Sequence, residues 1–299
     1  MTLDRQTAPP LPDWLAAELP FTRYTVRAAG RTVHVMEQGE GVPVLLVHGN
    51  PTWGFLWRKV ARALAGAPLR LVMPDLVGLG LSEHPGADFH TLENHGQVLA
   101  ARVVGLGLDA PVFVAQDWGG AIGGLGLSLA GVMPRAVVAM NTVLGPPREG
   151  FRPTAFHRFA RLPLVSDLVF RAFGYPQRAL HVAQGDRSSI RGATARAYRW
   201  PLERAKGNAA PLALARMVPD SQAHPSIAPL RACEAFLQRH QGPQEIVWGD
   251  RDPVLGRAFK RLHATLPRAT VTRTQAGHFL QEEVPDDIAA AIRRAAALS

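Results

Sequence analysis

Residues Val112–Ala121 read VFVAQDWGGA, and this stretch decides how the chain folds. Val112, Phe113 and Val114 form a short run of β-branched and aromatic residues, the pattern of a buried strand. Asp117 ends the run, and Gly119, Gly120 and a long helical stretch of small residues follow. Ala115 and Gly119 stand two places either side of Asp117, where bulky side chains would collide in a sharp strand-to-helix turn. Such a turn pushes its central side chain out above the sheet edge, and an aspartate there is placed to act as a nucleophile. The same ten residues also allow a plainer reading, in which Asp117 only caps the next helix.

Strands and helices alternate outward from this point. A Pro-rich opening, residues 1–20, allows a short helix near Trp14–Leu19. Tyr24–Ala28 and Thr32–Glu37 flank Ala29-Gly30 and predict an antiparallel hairpin. Val44–Val47 and Leu71–Met73 predict buried strands, with helices over Phe55–Leu64 and Leu92–Leu108. Beyond Asp117 the spacing predicts a helix at Ala121–Ala130 and a strand at Ala136–Met140. This alternation implies an α/β protein whose mostly parallel sheet, of about eight strands, carries helices on both faces. Reactive groups then belong at the carboxyl ends of the strands. His48–Asn50, Asp75, Asp117 and Asn141 all follow strands and are expected along one edge.

The pattern changes between Gly145 and about His224, where no buried strand is evident. Phe156–Phe173 and Gly192–Arg199 read as helices, interrupted by prolines. The expected organisation is a core domain of residues 1–144 and 225–299 with a helical insertion over 145–224. Alternation then resumes with a helix at Leu230–Arg239, a strand at Glu245–Trp248, a helix at Arg257–Leu266, a strand near Thr270–Arg273 and a final helix at Pro285–Ala297.

Composition narrows the function classes. The 299 residues are 47% hydrophobic and 19% charged, ordinary globular proportions with length for a large core. The net charge is +9, yet the basic residues are spread along the chain and are densest between Arg152 and Arg204. That distribution is not a nucleic-acid footprint. One cysteine, Cys233, excludes an intramolecular disulfide and suits a reducing compartment. Its setting, RACEAFL, reads as the buried face of a helix rather than a reactive thiol. No basic segment leads into an apolar one at the N-terminus, and no apolar stretch reaches membrane-spanning length. A cytoplasmic protein without a membrane partner is expected. No metal-ligand spacing, phosphate loop or dinucleotide fingerprint occurs, so no metal and no cofactor are expected. Nothing in the sequence sets an oligomeric state.

Three further residues, Asp250, Asp252 and His278, complete a constellation with Asp117. Asp250 and Asp252 follow a later strand, and Gly277-His278 follows the last one. Most loop histidines are structural. A histidine placed after the final strand, in register with Asp117 and a strand-end acid, instead gives the chain order nucleophile, acid, base.

The chain resembles the haloalkane dehalogenases of the α/β-hydrolase superfamily. The resemblance rests on HGNPTWGFLWRKV at His48–Val60, DLVGLGLSEHP at Asp75–Pro85, DWGGAIG at Asp117–Gly123, GDRDPVLG at Gly249–Gly256 and GHFLQEEVPDDI at Gly277–Ile288. It runs from about His48 to the C-terminus; the helical insertion matches the family's cap in position and composition only. It implies an α/β-hydrolase fold and hydrolysis of a small apolar haloalkane to alcohol plus halide. Asp117 would form an alkyl ester, and water activated by His278 would hydrolyse it. Halide leaves without a proton but needs donors as charge develops. The resemblance gives that role to the Trp118 indole and the Asn50 amide, and an oxyanion hole to the backbone N–H groups of Asn50 and Trp118. Read by themselves, Trp118 is also a core residue and Asn50 a turn residue. Some dehalogenases carry the acid after the strand that follows the nucleophile's helix. Here that position is Asn141, which is uncharged, so Asp252 is the expected acid, with Asp250 as the alternative. Gln116 departs from the histidine that many relatives carry there, and is expected to sit behind the reacting groups.

Two other readings stay open. An epoxide hydrolase would use the same Asp–His–Asp set but would need cap tyrosines to protonate its alkoxide. Tyr175 and Tyr198 are available, and either can equally be a packing residue. A non-hydrolytic ligand-binding or cofactor-free protein on the same fold is the second alternative, and the complete triad argues against it. A serine esterase is not expected, because the turn holds no Ser, Cys or Thr.

Overall fold

The computed structural model describes residues 3–205 and 209–297. Residues 206–208, within the expected insertion, and the terminal residues 1–2 and 298–299 lie outside the described residues. The strands are β1 (Gln6–Thr7), β2 (Thr22–Ala28), β3 (Arg31–Gln38), β4 (Val42–Val47), β5 (Leu69–Pro74), β6 (Val112–Asp117), β7 (Ala136–Thr142), β8 (Gln244–Gly249) and β9 (Thr270–Thr274). They form one sheet in the order β1-β2-β3-β5-β4-β6-β7-β8-β9. β1, β2, β3 and β5 pair antiparallel in turn, and every pair from β5 through β4 to β9 is parallel. The strand beyond the expected eight is β1. Its two residues are exposed and carry no hydrophobic alternation, so only pairing with β2 reveals it.

Helices cover both faces. They are α1 (Asp13–Ala16), α2 (Arg58–Ala63), α3 (Leu92–Gly105), α4 (Trp118–Ala130), α5 (Ala155–Ala160), α6 (Val165–Arg171), α7 (Gly192–Arg204), α8 (Ala210–Arg216), α9 (Ile227–Gln238), α10 (Phe259–Thr265) and α11 (Pro285–Ala295). Successive strand residues alternate between two cores, as the pleat requires. Leu45, Val47, Phe113, Ala115, Val137 and Ala139 pack with α3, α4 and α9. Val44, Leu46, Val112, Val114, Val138 and Met140 pack with α2 and α11.

Among the described residues, the chain between β7 and α9 is helical and contains no strand. Pro163 splits the expected Phe156–Phe173 helix into α5 and α6, because a proline cannot donate to the preceding turn. Pro201 sits inside α7, which nonetheless runs past Arg199. The missing proline N–H would have served the Ala197 carbonyl, and Trp53 Nε1 of the core donates to that carbonyl at 3.1 Å. The helix defect is thereby a docking point. Tyr198 adds another, donating its hydroxyl to Glu282 at 2.6 Å.

Candidate active site

Asp117 has φ 52° and ψ −130°, a conformation that costs a non-glycine residue on the order of 1–3 kcal/mol. Strand β6 and helix α4 hold it there, and α4 starts at once at Trp118, three residues before the expected Ala121. The turn is possible because its surroundings lack side chains. A Cβ on Gly119 would run into the Val47 and His48 carbonyls, and one on Gly49 into the Asp117 side chain. The Asp117 carboxylate makes no capping bond to α4. Its Oδ1 instead accepts the Asn50 backbone N–H at 2.7 Å.

His278 stands beside it. Nε2 lies 3.6 Å from Asp117 Oδ2, and Nδ1 lies 2.8 Å from Asp252 Oδ2. Asp252 is fixed in turn: its Oδ1 accepts the Val254 and Leu255 N–H groups at 2.7 and 3.1 Å, and its Oδ2 accepts Asn141 Nδ2 at 2.7 Å. Asp250 faces elsewhere and pairs with Arg273. The main chain at His278 is tied to the insertion side as well, since its backbone N–H donates to the Ala183 carbonyl at 2.8 Å. Gln116, fully buried, donates from Nε2 to the His278 carbonyl at 3.0 Å and lies 3.3 Å from the imidazole Nε2.

Burial alone would push the His278 pKa down, but the Asp252 and Asp117 carboxylates outweigh it and raise it to about 10. For Asp252, burial pushes upward, and the His278 imidazole with the Asn141 amide more than offsets it, holding the carboxyl below its ordinary value.

A cavity of about 420 Å³ opens on these groups. Asn50, Asp117, Trp118 and His278 line it from the core, and Phe156, His157, Tyr175 and Leu180 from the insertion. Asn50 Nδ2 donates to the Pro211 carbonyl of α8 at 2.9 Å, which sets the orientation of the amide. Tyr198 is fully buried outside the cavity. Two expected strand-end residues serve elsewhere. Asp75 is fully buried and accepts the Gly54 N–H at 2.7 Å, the Leu81 N–H at 2.8 Å and a contact from His34 Nδ1 at 2.8 Å. His48 Nε2 accepts the Leu76 N–H at 2.9 Å. Both brace loops beneath the site. Sequence reasoning missed His157, which belongs to no motif and reaches the cavity only because α5 folds over it. Among the described residues no group of three or more His, Cys, Asp or Glu could hold a metal ion. No helix among them is long and apolar enough to cross a membrane. Cys233 is buried against α4, where burial pushes its thiol pKa up.

The model of the Alpha/beta hydrolase family matches residues 44–291. Haloalkane dehalogenase 2 of Mycobacterium tuberculosis is 34% identical over 281 residues, covering 91% of this chain and 94% of the relative. This chain belongs to the haloalkane dehalogenase family. A haloalkane dehalogenase of Mycobacterium marinum is 32% identical over 270 residues, 86% of each chain. Among solved structures, the haloalkane dehalogenase DatA from Agrobacterium tumefaciens C58 matches with a TM-score of 0.78 at 26% identity, covering 91% of this chain and 95% of that one. As a member of the dehalogenase family, the protein is a hydrolase acting on carbon–halide bonds, with haloalkane and water consumed and halide released.

Proposed function

We infer that this dehalogenase works in two steps through a covalent alkyl ester on Asp117. One observation carries the reading: the two nitrogens of His278 face Asp117 and Asp252, beside a largely apolar cavity. Asp117 Oδ1 is engaged by the Asn50 N–H, so Oδ2 is the attacking oxygen. It bonds to the haloalkane carbon as halide leaves. Trp118 offers an indole N–H to the departing halide. Asn50 offers the second hydrogen of its NH₂, the first being held by Pro211.

Alkylation turns the Asp117 carboxylate into a neutral ester. One of the two charges that raise the His278 pKa disappears, so the imidazole becomes a base at the stage that requires one. Asp252 keeps it oriented and stabilises its protonated form. His278 then takes a proton from water, which attacks the ester carbonyl. The backbone N–H groups of Asn50 and Trp118 hold the oxyanion, and alcohol leaves. In this reading residues 1–144 and 225–299 form the catalytic core and 145–224 the cap, and neither step uses a cofactor.

The test separates the two steps. His278→Phe should release one burst of bromide per site from 1-bromohexane and stop, with the hexyl mass retained on the peptide holding Asp117. Asp117→Ala should give neither burst nor adduct. A folded His278→Phe protein that binds substrate yet shows neither signal removes the covalent mechanism.

A further inference from the structure

Two polar groups in the cavity have no task in halide displacement. His157, in α5, lines it beside Asp117, Trp118 and His278 and is 7% exposed. Its Nδ1 meets Thr154 Oγ1 at 2.8 Å, which leaves Nε2 to the cavity. Burial, aided by the positive charges of Arg161 and His278 and opposed by Asp117, lowers its pKa to about 4. The imidazole is therefore neutral at pH 7. Tyr175 lines the same cavity, and burial pushes its phenol pKa up, so it keeps its proton. Unlike Tyr198, it gives its hydroxyl to no carboxylate among the described residues. Around them the cap lining is apolar: Phe156, Pro176, Leu180 and Val182.

Polar groups set in an apolar wall are costly unless something pairs with them. Chloride or bromide departs without a proton, and Asn50 and Trp118 already point donors at it in the reading above. An oxygen leaving group is different. An alkoxide is far more basic than a halide and leaves only as an acid meets it. Two neutral donors lining one cavity with a carboxylate nucleophile are what such a leaving group requires.

We propose that the same cavity also opens epoxides, with Tyr175 as the proton donor and His157 as a second hydrogen-bond donor to the ring oxygen. This rests on the Asp117–His278 reading above. Asp117 Oδ2 bonds to a ring carbon, and that carbon's bond to oxygen breaks. The oxygen keeps the electron pair and takes the phenolic proton of Tyr175, while the Nε2–H tautomer of His157, with Thr154 donating to Nδ1, holds it in place. Water then attacks the ester carbonyl as His278 takes its proton. That proton is finally returned to the Tyr175 phenolate through solvent. One epoxide and one water give one vicinal diol, and the enzyme is regenerated.

The experiment runs 1,2-epoxyhexane and 1-bromohexane side by side, reading hexane-1,2-diol and bromide. Wild type should form diol, and Asp117→Ala should not. Tyr175→Phe should lower the ratio of diol turnover to bromide turnover about 100-fold, and His157→Gln about 10-fold, within the range of general-acid contributions. A second readout avoids these variants. In His278→Phe the epoxide should add its entire mass to the Asp117 peptide, since ring opening expels nothing, whereas bromohexane adds only its hexyl group. Bromide release without diol or epoxide adduct overturns this proposal and leaves dehalogenation standing. Loss of both activities overturns the reading on which it rests. Diol formed at an undiminished ratio in both cap variants overturns the roles of Tyr175 and His157.

Discussion

Nε2 of His278 lies 3.6 Å from Oδ2 of Asp117, close enough that the Asp117 charge helps to raise the His278 pKa. Removing the Asp117 charge should therefore lower the His278 pKa from its value of about 10. Nitrogen-15 NMR titration of wild type against Asp117→Asn measures this, and an unchanged His278 would break the link between alkylation and base activation. Stability carries the same signature. The folded pKa of His278 exceeds the unfolded value of about 6.5. Its stabilisation is thus complete below that pH and is lost as pH rises through about 10. In Asp117→Asn that loss should be smaller and complete at a lower pH in thermal melts.

Asp252 rather than Asp250 touches His278, and the two should separate cleanly. Asp252→Asn should cut turnover on the order of 10⁴-fold, as loss of a triad carboxylate does elsewhere. It also presents an NH₂ to surrounding donors, so a stability loss of about 1–3 kcal/mol is expected in urea titrations. Asp250→Asn breaks only a partly exposed pair with Arg273 and should leave turnover within a few-fold of wild type. A crippled Asp250→Asn beside a mild Asp252→Asn reverses the assignment.

Trp118→Phe keeps an aromatic ring in the wall and removes one N–H. Loss of one such donor typically costs about 3 kcal/mol in the step it serves, so the rate of the halide burst should fall on the order of 100-fold. Ester hydrolysis, followed separately by single-turnover mass spectrometry, should change far less, because the backbone N–H of residue 118 remains. An equal slowing of both steps points to a packing role instead.

Asp75 predicts an effect on stability rather than on chemistry. Burial alone would raise its pKa, but His34, His48 and the Leu81 N–H together hold it below the ordinary value. That stabilisation is present above pH of about 3.9 and is lost as pH falls through the lower folded value. Asp75→Asn should cost about 3 kcal/mol, typical of breaking a buried pair, with bromide turnover per folded molecule little changed. A stable Asp75→Asn with lost turnover would place Asp75 in the chemistry.

The legible parts of this molecule are those written as patterns. The runs at Val44–Val47, Val112–Val114 and Ala136–Met140 alternate between two cores in the structure, and their spacing with helices announced a parallel sheet. Asp117, Asp252 and His278 were visible because each follows a strand at a point where the topology makes strand ends converge. Polar strand-end residues look alike in sequence whether they face a cavity or brace a loop, so Asp75 and His48 were expected only along the same edge as Asp117, and their loop-bracing bonds were not legible. The cap was legible only as helical. Nothing local distinguishes Tyr175, which reaches the cavity, from Tyr198, which is held by Glu282. His157 carries no motif, and only the packing of α5 brings it near Asp117.

The 2.7 Å hydrogen bond from Asn141 to Asp252 joins the ends of two neighbouring strands directly behind the imidazole. Asn141 stands at the end of its own strand, and its amide steadies the carboxylate that follows the next strand. The two places form one seat with two possible occupants. Asn141→Asp together with Asp252→Asn would exchange the carboxylate and the amide between them. Asn141→Asp alone would set carboxylates at both places, and like charges at that separation share a proton rather than both ionise. The Asn141 amide thus keeps a single negative charge behind His278, where a second carboxylate would oppose the first.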